Sequence, residues 1–114
     1  MGMAIAVRGH GDDVVLIAGG THATLPLVDE VAETMKREHP RIYDAAFKDL
    51  EWGGDVYLSD LDVEDFNIVV DATHAAYERF INDFPDAETK YSGEFRQWQR
   101  YFSALRSDPR FRPR

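Results

Sequence analysis

Cysteine is absent from this chain of 114 residues. Disulfide frameworks, thiolate nucleophiles and thiolate metal sites are therefore excluded together. No apolar run approaches the roughly 20 residues that a membrane-spanning helix needs, so no membrane partner is expected. The N-terminus has no basic region followed by an apolar core, so no export leader is expected and the cytoplasm is the expected compartment. Cations are missing from one region in particular. Residues 55–88 carry 10 acidic side chains against 1 basic, Arg79, whereas residues 89–114 carry 2 acidic and 7 basic. An anionic surface of this kind repels nucleic acid and speeds encounter with a basic partner.

The chain does contain bulky residues at regular spacing. At 12% aromatic content the net charge of −8 does not imply disorder. One globular domain, residues 1–114, is expected, and a monomer is favoured. Met3–Val7 alternates large and small residues and Val14–Ile17 is continuously apolar. With glycines and aspartates between them, they read as a β-hairpin. Thr21–His39 reads as a helix entered through Thr24, with Pro26 in its first turn and Val28, Val31, Ala32 and Met35 as the core stripe. Pro40–Leu50 reads as a short helix, and Val56-Tyr57-Leu58 is the one further strand candidate.

The stretch from Asp62 to Phe84 has two readable faces. Val63, Phe66, Val69, Val70, Thr73, Ala76, Tyr77, Phe80, Ile81 and Phe84 fall in one sector at 100° per residue, the expected core side. The opposite sector collects Glu64, Asn67, Asp71, Glu78 and Asn82, with Ile68, Ala72 and Ala75 among them. Ser59 or Asp62 can cap this helix and Pro85 ends it. A polar linker, Asp86–Ser92, leads to a last helix with Phe95, Trp98, Phe102 and Leu105 on one stripe, and Arg110–Arg114 reads as a frayed basic tail. The expected fold is α+β: a small antiparallel sheet, made of the N-terminal hairpin and one further strand, packed against about four helices.

Few constellations suggest a reaction. His10, Asp12 and Asp13 could hold a divalent metal or form an acid–base pair, but a hairpin tip needs Gly and Asp for its backbone geometry in any case. The Gly19-Gly20-Thr21 junction lacks the glycine spacing and lysine of a phosphate-binding loop. His74 reads as a packed boundary residue and His39 as a helix C-terminal cation. Neither a cofactor nor a catalytic set is expected. Glu64, Asp71 and Glu78 recur every seven residues in a nearly straight row, with an apolar strip beside them. Glu64, Ile68, Asp71, Ala75 and Glu78 form the candidate partner-binding surface, and the competing reading is a solvated face with Ile68 covered from within the domain.

The stretch Leu58-Ser59-Asp60-Leu61-Asp62-Val63-Glu64-Asp65-Phe66 and the ending Trp98…Tyr101-Phe102…Leu105-Arg106-Ser107-Asp108-Pro109-Arg110 resemble bacterial immunity proteins of contact-dependent growth-inhibition systems. The resemblance covers roughly the second half of the chain. It implies a cytoplasmic protein without catalysis or cofactor that binds the toxic C-terminal domain of a secreted effector, often a basic nuclease, and masks its active site. Those immunity proteins share no invariant motif, so the resemblance carries no site residue onto this chain. Two alternatives come from the residues alone. One is a small metal-dependent hydrolase using His10, Asp12 and Asp13; the other is a regulatory subunit of a larger assembly, with the last helix's aromatic stripe as a dimer seam.

Overall fold

The computed structural model describes the backbone of residues 2–8, 14–52 and 54–113, and within these the side chains of residues 28–52, 54–86, 88–93 and 95–113. The described elements run in the order β1 (Gly2–Arg8), β2 (Val14–Gly20), α1 (Thr21–Glu38), α2 (Pro40–Ile42), a π turn (Tyr43–Phe47), a 3-10 turn (Lys48–Trp52), β3 (Val56–Tyr57), a second 3-10 turn (Leu58–Asp60), α3 (Val63–Asp83), α4 (Ala87–Lys90) and α5 (Ser92–Ser107). The backbone of β1 pairs antiparallel with β2 and, through Ile5 and Ala6, parallel with Val56 and Tyr57.

The expectation of an α+β domain organised on an antiparallel sheet is overturned. Over the residues whose side chains are described, the chain is about 80% helical and 2% strand, with Val56–Tyr57 a lone strand and no sheet in that part. The fold is mostly helical. Two local causes are visible. The Pro40 segment continues past Leu50 to Trp52 through π and 3-10 turns, and the strand beginning at Val56 turns into a 3-10 helix at Leu58. Val56 is consequently the one strand residue among the buried core hydrophobics described.

Helices supply that core. On α1, Val28, Val31, Ala32 and Met35 are buried, one face of a 3.6-residue repeat. On α3, Phe66, Val69, Val70, Thr73 and Ala76 are buried, while Val63, Tyr77, Phe80 and Ile81 are half-buried and Phe84 is exposed. Trp98, Tyr101, Phe102 and Leu105 of α5 belong to the same core, as do Ile42, Tyr43, Ala46, Phe47, Leu58 and Leu61, and Phe95 is half-buried. Ring centroids of Phe80 and Trp98 lie 4.0 Å apart and those of Tyr77 and Phe102 5.0 Å apart, edge to face, so α5 packs its aromatic side on α3. The proposed dimer seam is thus largely spent within the chain.

Three further boundaries differ from the sequence reading. Helix α1 begins at Thr21, which leaves Thr24 inside it and Pro26 in its second turn. The polar linker contains α4. The supposed frayed tail is anchored at Arg110, whose side chain is only 3% exposed and pairs with Asp108, itself 0% exposed. All three guanidinium nitrogens of Arg110 donate: Nε and Nη2 to the Asp108 carboxylate, and Nη1 to the carbonyls of Leu58 and Leu61, each at 2.7 Å. Its charge also lies 4.1 Å from the centre of the Phe66 ring. A charge can be buried when its hydrogen-bonding capacity is satisfied in this way.

Candidate functional site

Helix α3 starts where Asp62 takes the N-cap position and its Oδ1 accepts the Asp65 backbone N–H at 2.8 Å. Glu64 and Asp65 in the first turn suit the positive end of the helix. Their roles then diverge. Asp65 is buried and receives both terminal nitrogens of Arg41, at 2.5 and 2.9 Å, which ties α2 to α3. Glu64 remains exposed.

Along the outer face, Asp71 and Glu78 are exposed, and Ile68, Ala72 and Ala75 are half-buried. Ile68 and Ala72 pack against the core, so part of the apolar strip is covered from within the domain. Asn67 and Asn82 serve different surroundings. The Asn67 side-chain amide donates to the carbonyls of Val63 and Arg110, and its oxygen accepts the Arg112 backbone N–H, so the C-terminal segment crosses α3 here. Asn82 shares a hollow of about 280 Å³ with Tyr77, Glu78 and Ile81.

The larger concavity lies between the second half of α1 and the middle of α3, with a volume of about 680 Å³. Ile68, Asp71, Ala72, Ala75 and Arg79 line it from α3; Glu30, Glu33, Thr34, Met35, Arg37 and Glu38 line it from α1, with His39 just beyond. Its lining is apolar where Met35, Ile68, Ala72 and Ala75 meet, and it carries four carboxylates against two guanidinium groups. Arg79 reaches across to Glu30: its Nε donates at 2.6 Å and its Nη2 lies 2.5 Å from the same oxygen, Oε1. Arg37 lies 3.6 Å from Glu38. Next to the groove, partial burial and then the charge of Glu33 push the Asp29 carboxyl above its ordinary pKa.

Of the five residues singled out from the sequence, the groove therefore brings together Ile68, Asp71 and Ala75. Glu64 and Glu78 lie on the same helix outside it. The sequence reading missed the contribution of Glu30, Glu33 and Glu38. Glu30, Glu33 and Arg37 do stand at i, i+3 and i+7, which puts them on one side of α1. Nothing in the sequence of α1 alone says that this side faces α3.

A second polar cluster lies at the end of α1, outside the groove. The Tyr43 hydroxyl donates to Glu51 at 2.5 Å, and Lys36 sits 5.5 Å from the Tyr43 ring centre and 3.6 Å from Glu51. The bond to Glu51, then burial, push the Tyr43 hydroxyl up to about 12; the same bond draws Glu51 down. His74, at 4.8 Å from the Phe102 ring centre, is a packing residue between α3 and α5.

The turn bearing His10, Asp12 and Asp13 lies outside the described residues. Among the described residues no group of three or more His, Asp or Glu is placed to hold a metal ion, and no helix is long and apolar enough to cross a membrane. Comparisons with protein-family models, with curated proteins and with solved structures find no match for this chain.

Proposed function

We propose that this chain is an immunity-type inhibitor. In this reading it is a cytoplasmic, non-catalytic monomer without a cofactor. It binds the basic toxic domain of a bacterial effector, a nuclease in the favoured version, through the acidic surface of Glu64, Ile68, Asp71, Ala75 and Glu78, and masks the toxin's active site. The observation that carries the reading is the α1–α3 groove, where an apolar lining is bordered by Glu30, Glu33, Glu38 and Asp71. Apolar anchors ringed by charge of one sign combine affinity with fast, selective encounter. The skew of charge along the chain supports the same partner chemistry, since residues 55–88 hold a single cation.

The test is co-purification with a toxin domain encoded immediately upstream, followed by association rates across a salt series. A tight complex whose association slows steeply with salt is the expected result. Reversing Glu64 and Asp71 to lysine should slow association by roughly tenfold or more at low salt while the monomer stays folded. A folded, active toxin that ignores the chain would sink the reading.

A further inference from the structure

The groove has a shape as well as a charge, and the two together specify an occupant. Its α3 wall runs from Ile68 to Arg79, twelve residues and so about 16 Å from first to last, or three helical turns. Ile68, Ala72, Ala75 and Arg79 stand at i, i+4, i+7 and i+11, a single stripe along that wall. The opposite wall is also a helix. A trough between two packed helices accepts a third through one row of anchors at i, i+3, i+4 and i+7. Small side chains at Ala72 and Ala75 leave room for that row, and the carboxylates beside it call for cations on the occupant's flanks.

The Arg79–Glu30 pair adds a second observation. Arg79 is the sole cation between residues 55 and 88, and both of its contacts fall on one oxygen of Glu30, across the groove. Both side chains are about half exposed, 54% and 43%. An exposed pair of this kind adds little to stability and exchanges readily for another cation. The chain thus already places a guanidinium on Glu30 from its own α3.

We infer that the α1–α3 groove seats an amphipathic basic helix whose apolar side chains lie against Ile68, Ala72 and Ala75 and whose leading arginine displaces Arg79 from Glu30. Assigning that helix to a toxin rests on the function proposed above; the chemistry of the groove does not. The pair acts as a latch. It keeps the end of the groove closed until a cation with additional apolar contacts competes for Glu30, and so it discriminates against isolated cations.

The experiment uses the full chain and a fluorescently labelled amphipathic helical peptide of leucine and arginine, with the leucine–glutamate peptide as control. Anisotropy should report binding of the arginine peptide only, and amide shifts should concentrate in residues 30–39 and 68–79. Ala72→Arg, which fills the groove from a half-buried position on its wall, should abolish binding while near-ultraviolet circular dichroism shows the fold intact. Arg79→Ala should tighten binding by up to about fivefold, the equivalent of one exposed ion pair no longer broken. Shifts that map elsewhere, or an Arg79→Ala chain that binds more weakly, would overturn the inference. If Ala72→Arg disturbs the fold, Ala75→Gln provides the steric test without adding charge to the groove. An upstream toxin that binds the groove-filled chain undiminished overturns the groove as the toxin's seat while leaving the immunity reading standing. An arginine peptide that seats in the groove while the toxin ignores the chain does the reverse.

Discussion

Helix α3 meets the same chemical pair near its two ends, an arginine against a carboxylate, and the surroundings give the pair opposite consequences. Near its N-terminal end Arg110 and Asp108 are sealed at 3% and 0% exposure over the face of Phe66. Near its C-terminal end Arg79 and Glu30 stand about half exposed across a groove. Water screens the second pair and competes for it, whereas in the first each guanidinium nitrogen of Arg110 donates to a protein oxygen. Burial, more than the identity of the charges, separates a structural tie from a contact available for exchange. The third pair, Arg41 with Asp65, lies between them, with an exposed guanidinium on a buried carboxylate.

Removing each arginine in turn tests that ranking by chemical denaturation. Arg110→Ala should cost the most, about 3–5 kcal/mol, because Asp108 keeps its buried charge and loses its guanidinium while the Leu58 and Leu61 carbonyls lose a donor. If Arg110→Ala unfolds as the parent chain does, the sealed pair is not a structural tie and the comparison fails. Arg41→Ala should fall between the extremes, since Asp65 is buried but Arg41 itself reaches into solvent, and a midpoint unchanged from the parent would show that solvent has already screened it. Arg79→Ala should change stability least, by about 0–1 kcal/mol. A larger loss would mean that the Glu30 contact holds α1 to α3, and it would then be a poor candidate for displacement by a partner.

The parts of this arrangement that were legible in the sequence are those written in helical period. Val28, Val31, Ala32 and Met35, and Phe66, Val69, Val70, Thr73 and Ala76, were readable because burial repeats every 3.6 residues. That signal weakens at helix ends, where Phe84 was assigned to the core side and is exposed. Fold class was misread because short apolar runs do not declare how far a strand extends, and Val56-Tyr57 stops after two residues. Arg110 was invisible for a different reason. A cation near a chain end reads as solvated, and its carbonyl partners lie 49 and 52 residues away, at no spacing that a pattern could reveal. The site was half legible on the same principle. The row along α3 comes from one helix, but the groove exists only because α1 lies opposite, and that pairing is a property of the packed molecule.

The Arg110 clamp has a mechanical consequence. Chain beyond Ser107 turns back through Asp108 and fastens onto the carbonyls of Leu58 and Leu61, with Asn67 gripping the backbone on either side of Phe111. Tension applied from the C-terminal side therefore loads this cluster of hydrogen bonds before it reaches the last turn of α5. The bonds are spread over two elements and share the load, so α5 is protected from being peeled away one turn at a time. An unfoldase that pulls from the C-terminal side of Arg110 must first extract a buried charge whose three nitrogens all donate to protein oxygens.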